Sequence, residues 1–570
     1  DRSLVGSEMC IRDRKRALPS TMLITRKMNG EEVDKCKGRW VCGGHCEQYS
    51  NETFAPTPHA ISFRCCCAIA AKHGYTLESG DITTAFLTGD LDEEGVVMRP
   101  PKGIKPSPMD KGYERVKNLD TKHQILVIYK ALYGLSRSPK LHMSKLRRVL
   151  EYDGFRSTDA EPCVYVKKLW NEDGTPKMVE QRRPPNSPTG DVLPLVQDQY
   201  IILIHVDDIL AMSPHGGAMD HLVKLLKNHG MTLEVKPITH NKKSYFVGVE
   251  MLQSEDKFTV SLGVSGFLSR LAKEILGEPK ESWNTKTFQV PMTAKYKSKT
   301  NMLVPGGEGD RVISAEEFPY RKCIGALLWA NVARPDICQA VRQLSRFCLK
   351  PTEQHVEAAI HLLKYCYNTR DRTINYSGGS KQKIPYLRKE PTEGQDTTDL
   401  NQFTSNYYGG HVYDAASNKW LDAKDIPSEL GQDPPAEGQV RVKDDSVMVD
   451  IDPTMGMYTD ASFQSTFDFK SVSGHVTFFG SAAVDWGSHT QSVVAMSTME
   501  SEIFATTKGT QSLLHVRTLL HELGEVSILE PVVSFEDNKA AKLCLAVPDR
   551  RKGAKHFERM LARAHQWVQA

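Results

Sequence analysis

Residues 201–212 read IILIHVDDILAM, and no other stretch limits the fold so sharply. Ile201 to Ile204 is apolar at consecutive positions, which suits a strand buried on both faces. The run leads straight into Asp207 and Asp208, and apolar residues resume at Ile209 and Leu210. Adjacent carboxylates repel each other and lose hydration among apolar neighbours. The chain must therefore turn there, and a tight hairpin tip can project both carboxylates out of a core. Carboxylates confined at such a tip are best stabilised by divalent cations, which take hard oxygen ligands. The alternative is an ordinary Asp-Asp surface turn.

The rest of the chain has room for such a site. Its 570 residues suggest several domains, each able to bury a core. Hydrophobic residues make up 40% and charged residues 25%, an ordinary globular balance. The net charge of +3 says nothing about partners, so any basic patch must be local. No apolar run approaches the roughly 18–20 residues of a membrane-crossing helix, and there is no secretory signal pattern. Thirteen cysteines are scattered along the chain. Cys65–Cys67, inside RCCCAIAA, read as small buried hydrophobes in a reducing compartment. Cys36, Cys42, His45 and Cys46 stand close together, but their spacing fits no usual zinc knuckle, so packing is the reading. Residues 1–14, DRSLVGSEMCIRDR, lack an initiating Met and resemble a translated sequencing-adapter leader; they are set aside from fold reasoning.

Residues 15–270 alternate short strands and helices. CVYVKK (163–168), YIILIHV (200–206) and SYFVGVEML (244–252) each predict one strand. The polar, Pro-rich segment between the first two predicts a surface loop. AMDHLVKLLKNHG predicts an amphipathic helix, with Ala218, Leu222, Leu225 and Leu226 on one face and Gly230 stopping it. Residues 318–376 read as helical, ending near Tyr376. Residues 377–452, rich in Gly, Pro, Asp, Ser and Lys, predict a linker or insertion, partly disordered. From 455 onward come three strands in a row, a helix over 498–523 closed by Gly524, a fourth strand in PVVSFEDN, and a last helix from about 553. That order describes a small α/β domain.

A further carboxylate changes the weight of the Asp pair: Asp81, at a strand end in LESGDITTAFLTGDL. At this point a resemblance emerges. GDITTAFLTGDLDEE, YKALYGLSRSP, HVDDIL, YFVGVEM, ARPDICQAV and KPTEQHVEAAIHLLKY occur in the order and spacing of the reverse transcriptase of copia-type LTR retrotransposons. KCKGRWVCGG and ETFAP upstream are similar to that family's wording too. The resemblance covers about residues 18–376, then 455 to the end. It implies an α/β (α+β) polymerase right hand, with fingers and palm over 15–270 and thumb or connection over 271–376. The 377–452 linker and a ribonuclease H-like α/β domain over 453–570 follow. It also implies an RNA-directed DNA polymerase working by two-metal-ion nucleotidyl transfer. Asp81 and Asp207 would be the main Mg2+ ligands and Asp208 a third, with two ions per active site and Mn2+ as the alternative ion.

By the same resemblance, Lys37 and Arg39 lie where the family has basic fingers residues that grip the triphosphate, and Phe86 lies beside the nucleotide. Arg137 and Lys140, on a helix with Lys145, Arg147 and Arg148 around an apolar face of Met143, Leu146 and Leu150, would contact template and primer phosphates. A solvated basic face is the alternative. His205 stands where the family usually has Tyr, and Ser136, Arg137 and His142 where it has Lys, Gln and Trp. These departures keep open a decayed remnant that only binds nucleic acid. A maturase or a viral RNA polymerase is a further alternative, against which the C-terminal domain argues.

In that domain, YTDASF, STMESEIFA and SFEDN supply Asp460, Glu502 and Asp537, a set resembling ribonuclease H. Ser497 and Glu500 form a capping-box pattern, so Glu500 has a structural job and Glu502 is the candidate acid. The family pattern continues past a KHID-like motif, here KHFE with Glu558, to a final Asp that this chain, stopping at Ala570, does not contain. Ribonuclease H activity is therefore expected to be weak. The implied partners are RNA template, DNA primer, RNA–DNA hybrid and dNTPs, with a dimer or other Gag and Pol products besides, and no membrane. The implied location is intracellular: cytoplasmic, in a virus-like particle, and nuclear.

Overall fold

The computed structural model describes residues 17–29, 32–47, 52–91, 96–102, 125–184, 195–283, 286–293, 303–378 and 455–546, apart from 308 and 529–531, with isolated positions and strands elsewhere. Residues 1–14, the helix expected from 553 and Glu558 lie outside them. Two units emerge, each assembled from separate segments: 1–58, 77–178 and 197–237 form one, and 59–76, 179–196 and 238–570 the other.

In chain order, an antiparallel hairpin of β1 (Ser20–Asn29) and β2 (Glu32–Cys42) opens the first unit. Helix α1 (Ala60–His73) belongs to the second unit. Next come β3 (Thr76–Thr83), α2 (Ser138–Tyr152), β4 (Arg156–Ser157), β5 (Val164–Lys168), β6 (Gln199–His205), β7 (Asp208–Ser213), α3 (Ala218–Asn228) and β8 (Thr232–Pro237). The six strands form one sheet in the order β8-β3-β7-β6-β5-β4. Ile201 to Ile204 are all buried, as a central strand enclosed on both faces requires. Ile202, Ile204 and Ile209 share a core with Leu146 and Leu150 of α2 and Leu222 of α3. Leu225 is only partly buried against it. Gly230, at φ +72°, follows α3 as its stop signal.

The second unit holds the antiparallel sheet β9 (Ser244–Phe246), β10 (Val249–Gln253), β11 (Thr259–Gly263) and β12 (Ile374–Ser377). The helices α4 (Ser265–Leu276), α5 (Tyr320–Ala330), α6 (Cys338–Ser345) and α7 (Glu353–Asn368) lie between β11 and β12 in sequence. Two expectations are corrected here. Residues 244–252 are a hairpin rather than one strand, because Val247 (φ +50°) and Gly248 (φ +81°) reverse the chain. The 318–376 segment does not stay helical to Tyr376; its end is β12, whose pairing with β11 overrides local preference.

The same unit ends in β13 (Met455–Ser462), β14 (Val472–Phe479), β15 (Ala482–Thr490), α8 (Thr498–Glu522), β16 (Val533–Phe535) and α9 (Lys539–Ala546). The sheet order is β15-β14-β13-β16, with β16 parallel to β13. Ser497 caps α8 by accepting from the Glu500 N–H, and the Glu500 carboxylate accepts from the Met496 N–H. The chain leaves α8 through Gly524 at φ +80°. Gly509 lets α8 press onto the sheet, since a Cβ there would stand 2.8 Å from Met457 and Thr459 side-chain atoms.

Helix α1 is buried all round from Ser62 to Ala71, including Cys65, Cys66 and Cys67. It packs against β12 and β15. Arg64, 5% exposed, donates from Nε to the Val484 carbonyl (2.6 Å) and stacks over Trp486 at 4.0 Å. Its guanidinium lies 3.7 Å from Asp485. At the helix C-terminus, Lys72 (2.8 Å) and His73 (2.9 Å) hold the buried Glu525. No helix among the described residues is long and apolar enough to cross a membrane.

Candidate active sites

The Asp pair sits at the tip of the β6–β7 hairpin, where His205 pairs with Asp208 and Val206–Asp207 make the turn. Val206 adopts φ +59°. Asp81 lies on the neighbouring strand β3, and the Ile82 N–H donates to the Asp207 carbonyl at 2.7 Å. The Asp81 carboxylate is turned toward Lys236 of β8, at 3.6 Å. Among the described residues, Asp81, Asp207 and Asp208 do not form a group with oxygens all within 4.8 Å of one another. Like charges separate, and Lys236 offers Asp81 a counterion. Two adjacent strands thus carry these acids at neighbouring backbone positions over an apolar core, with their oxygens apart.

Around them stand Tyr133, Phe86, Arg39 and His142. The Arg39 guanidinium lies 5.7 Å from the Tyr133 ring centre, and the Phe86 ring meets Tyr133 edge-on at 5.1 Å. Burial first, then the Asp207 charge, pushes the Tyr133 hydroxyl above its ordinary range, with Arg39 opposing. Gly134 makes this packing feasible: at φ +93° it approaches β2 so closely that a Cβ would stand 2.0 Å from the Cys42 carbonyl oxygen. Lys37 lies on β2 opposite Thr25.

Arg137 corrects an expectation. It is 2% exposed, and its Nε donates to Glu47 at 2.8 Å. Ser136 donates to the same carboxylate from its N–H (3.0 Å) and hydroxyl (2.7 Å). The guanidinium is a buried structural ion pair and is not presented to a phosphate. Lys140 differs: it is about one-third exposed and donates to the Glu52 carbonyl. Cys42 is buried in an apolar cluster with Leu18, Met98 and Leu135, and Cys46 is exposed.

In the second unit Asp460 (β13), Glu502 (α8) and Asp537 (just after β16) do converge, with ligand oxygens all within 4.8 Å. Glu502 is buried, and its Oε2 has no hydrogen-bond partner. Burial, then the charges of Glu536, Asp460 and Asp537, pushes its carboxyl up to about 8. A buried orphan oxygen facing other acids fits a divalent cation.

Sequence reasoning missed Glu536. Its Oε2 accepts from Thr459 (3.1 Å) and Thr506 (2.8 Å), and its Oε1 from the Asn538 N–H (3.1 Å). The signal was the doubled acid in SFEDN; strand alternation suggests that only one of two neighbours faces a site, but β16 has ended by Glu536.

Residues 10–178 match the family described as "Reverse transcriptase (RNA-dependent DNA polymerase)". The chain is 22% identical over 516 residues to the Retrovirus-related Pol polyprotein from transposon TNT 1-94 of Nicotiana tabacum, covering 90% of this chain and 30% of that protein. It is 23% identical over 540 residues to the Retrovirus-related Pol polyprotein from transposon RE1 of Arabidopsis thaliana, covering 94% and 28%. The chain thus spans less than a third of the length of these relatives. Among solved structures it is similar to the foamy viral protease-reverse transcriptase in complex with double-stranded DNA, with a TM-score of 0.44 and 11% identity, covering 99% of this chain and 68% of that one. The chain is thus similar over most of its length to retrotransposon Pol polyproteins, and residues 10–178 match a reverse transcriptase family.

Proposed function

We propose that the chain is an RNA-directed DNA polymerase whose palm is the six-stranded sheet and whose fingers include the β1–β2 hairpin. The observation that carries this reading is the adjacency of Asp81 on β3 to Asp207 on the β6–β7 turn, joined through the Ile82–Asp207 hydrogen bond of 2.7 Å. Asp81, Asp207 and Asp208 would hold two Mg2+ ions, or Mn2+ in their place. Such ions lower the pKa of a primer 3′ hydroxyl and neutralise the leaving pyrophosphate. The protein's own part is to hold these carboxylates on separate strands and to line the site with Phe86, Tyr133 and Arg39 for a dNTP. Lys140 suits a phosphate of the template–primer.

The test is primer extension on poly(rA)/oligo(dT). Asp81→Asn and Asp207→Asn keep side-chain size and lose the charge that holds a cation. Several kcal/mol of transition-state stabilisation should go with it, or at least ~100-fold in rate. Either variant extending at the wild-type rate overturns the assignment. A wild-type chain that binds duplex and never extends it favours the decayed, binding-only reading.

The Asp460, Glu502 and Asp537 cluster supports a second reading, metal-dependent cleavage of RNA in an RNA–DNA hybrid. Glu502→Gln should abolish any such cleavage; hybrid cleavage that survives it would remove this cluster from consideration.

A further inference from the structure

Asp207 is gripped from both sides along the backbone. Its own carbonyl accepts from the Ile82 N–H at 2.7 Å. The preceding carbonyl, of Val206, lies 3.1 Å from Nε2 of His142, a fully buried ring on α2. We propose that His142 is a positioning residue for Asp207, its Nε2–H fixing the turn that aims the carboxylate. The proposal rests on the polymerase reading of this site.

Three observations converge. First, Val206 is β-branched and sits at φ +59°, a conformation such residues rarely adopt unless their surroundings impose it. Its carbonyl is held by His142. Second, a carbonyl can only accept, so Nε2 carries the hydrogen and Nδ1 is left as an acceptor in the neutral ring. Nδ1 lies 2.9 Å from the Thr88 hydroxyl, whose single hydrogen is shared between Nδ1 and the Ala85 carbonyl 2.6 Å away. Third, Thr88 ends the short 3-10 turn Ala85–Thr88 that follows β3, the strand of Asp81. One ring therefore ties the segment beyond Asp81 to the turn that carries Asp207. The similar family motif has Trp at this position. An indole N–H can donate, but it has no acceptor for the Thr88 hydroxyl.

The experiment uses the full chain carrying Asp460→Asn and Asp537→Asn, so that the second acidic cluster takes no ion. Mn2+ binding is followed by electron paramagnetic resonance without nucleic acid or turnover. A site lost in Asp207→Asn should be weakened about tenfold in His142→Phe, the scale of one hydrogen bond. His142→Gln, whose amide N–H can replace the donor, should return to within about threefold, and Thr88→Val should fall between. In primer extension His142→Phe should lower kcat while leaving duplex affinity unchanged. Wild-type Mn2+ affinity in His142→Phe, no rescue by Gln, or no Asp207-dependent site would each overturn the proposal. If His142→Phe fails to fold, Thr88→Val decides: unchanged Mn2+ affinity there overturns it. The expected Mn2+ pattern in a chain that never extends a primer would sink the polymerase reading and leave the positioning role standing.

Discussion

At the scale of residues, a basic side chain means little until its partner is known. Arg137 and Lys140 lie three positions apart on the same helix end, yet one is sealed against Glu47 and the other reaches solvent. Removing one member of a buried pair strands the other charge, at a cost of about 3–5 kcal/mol. Arg137→Ala should therefore lower the melting temperature strongly, while Lys140→Ala should change stability by less than ~1 kcal/mol. Thermal denaturation of the two variants checks this; equal melting temperatures would contradict the buried-pair description. The sequence made Asp81, Asp207, Asp208, Asp460, Glu502 and Asp537 legible as candidates, each in a motif readable within a few residues, though only the last three gather their oxygens. It could not carry the Arg137–Glu47 pair, whose members are 90 positions apart, nor the role of Glu536, which depends on where β16 stops.

At the scale of elements, local signals located helices well. Ser497 and Gly524 bracket α8, and Gly230 stops α3, because caps and left-handed stops are read from neighbours. Strand partners are not local. The turn that splits 244–252 places Val, not Asn, at positive φ, and β12 is a strand only because β11 is there to pair with it. The tie between α1 and the end of α8 has the same hidden character and makes a pH prediction. Against a burial that would raise it, hydrogen bonds and charge from His73 and Lys72 hold the Glu525 carboxyl below its ordinary value of 4.5. A depressed carboxyl contributes stability above its unfolded pKa, and that contribution is lost as pH falls through the lower folded pKa. Glu525→Gln should cost about 1.5–3 kcal/mol at pH 7, the scale of a hydrogen bond to a charged group. The gap between wild type and variant should close below pH 4.5. Denaturant melts across that window test the sign; a gap that widens on acidification would refute it.

At the scale of the whole molecule, the units interleave in sequence, and α1 is the plainest case. Its apolar composition announced buried residues, but nothing in residues 60–73 named β15 as their neighbour. A polypeptide of residues 453–570 leaves α1 behind, uncovering Val484 and Trp486 and taking Arg64 from beside Asp485. Apolar surface exposed there costs roughly 25 cal/mol per Å², which counts against the ~5–15 kcal/mol that holds most domains. That fragment should unfold without a sharp urea transition, whereas the full chain should show one; a cooperative transition in the fragment would disprove the dependence. The same helix imposes a wait during synthesis. Arg64 and Val484 are 420 residues apart, and ribosomes add roughly 5–20 residues each second. For roughly 20–80 s of every round of translation, a helix with three adjacent thiols has been made and the strand that will bury it has not. The nascent chain must spend that interval shielded by a chaperone or by its own transient collapse.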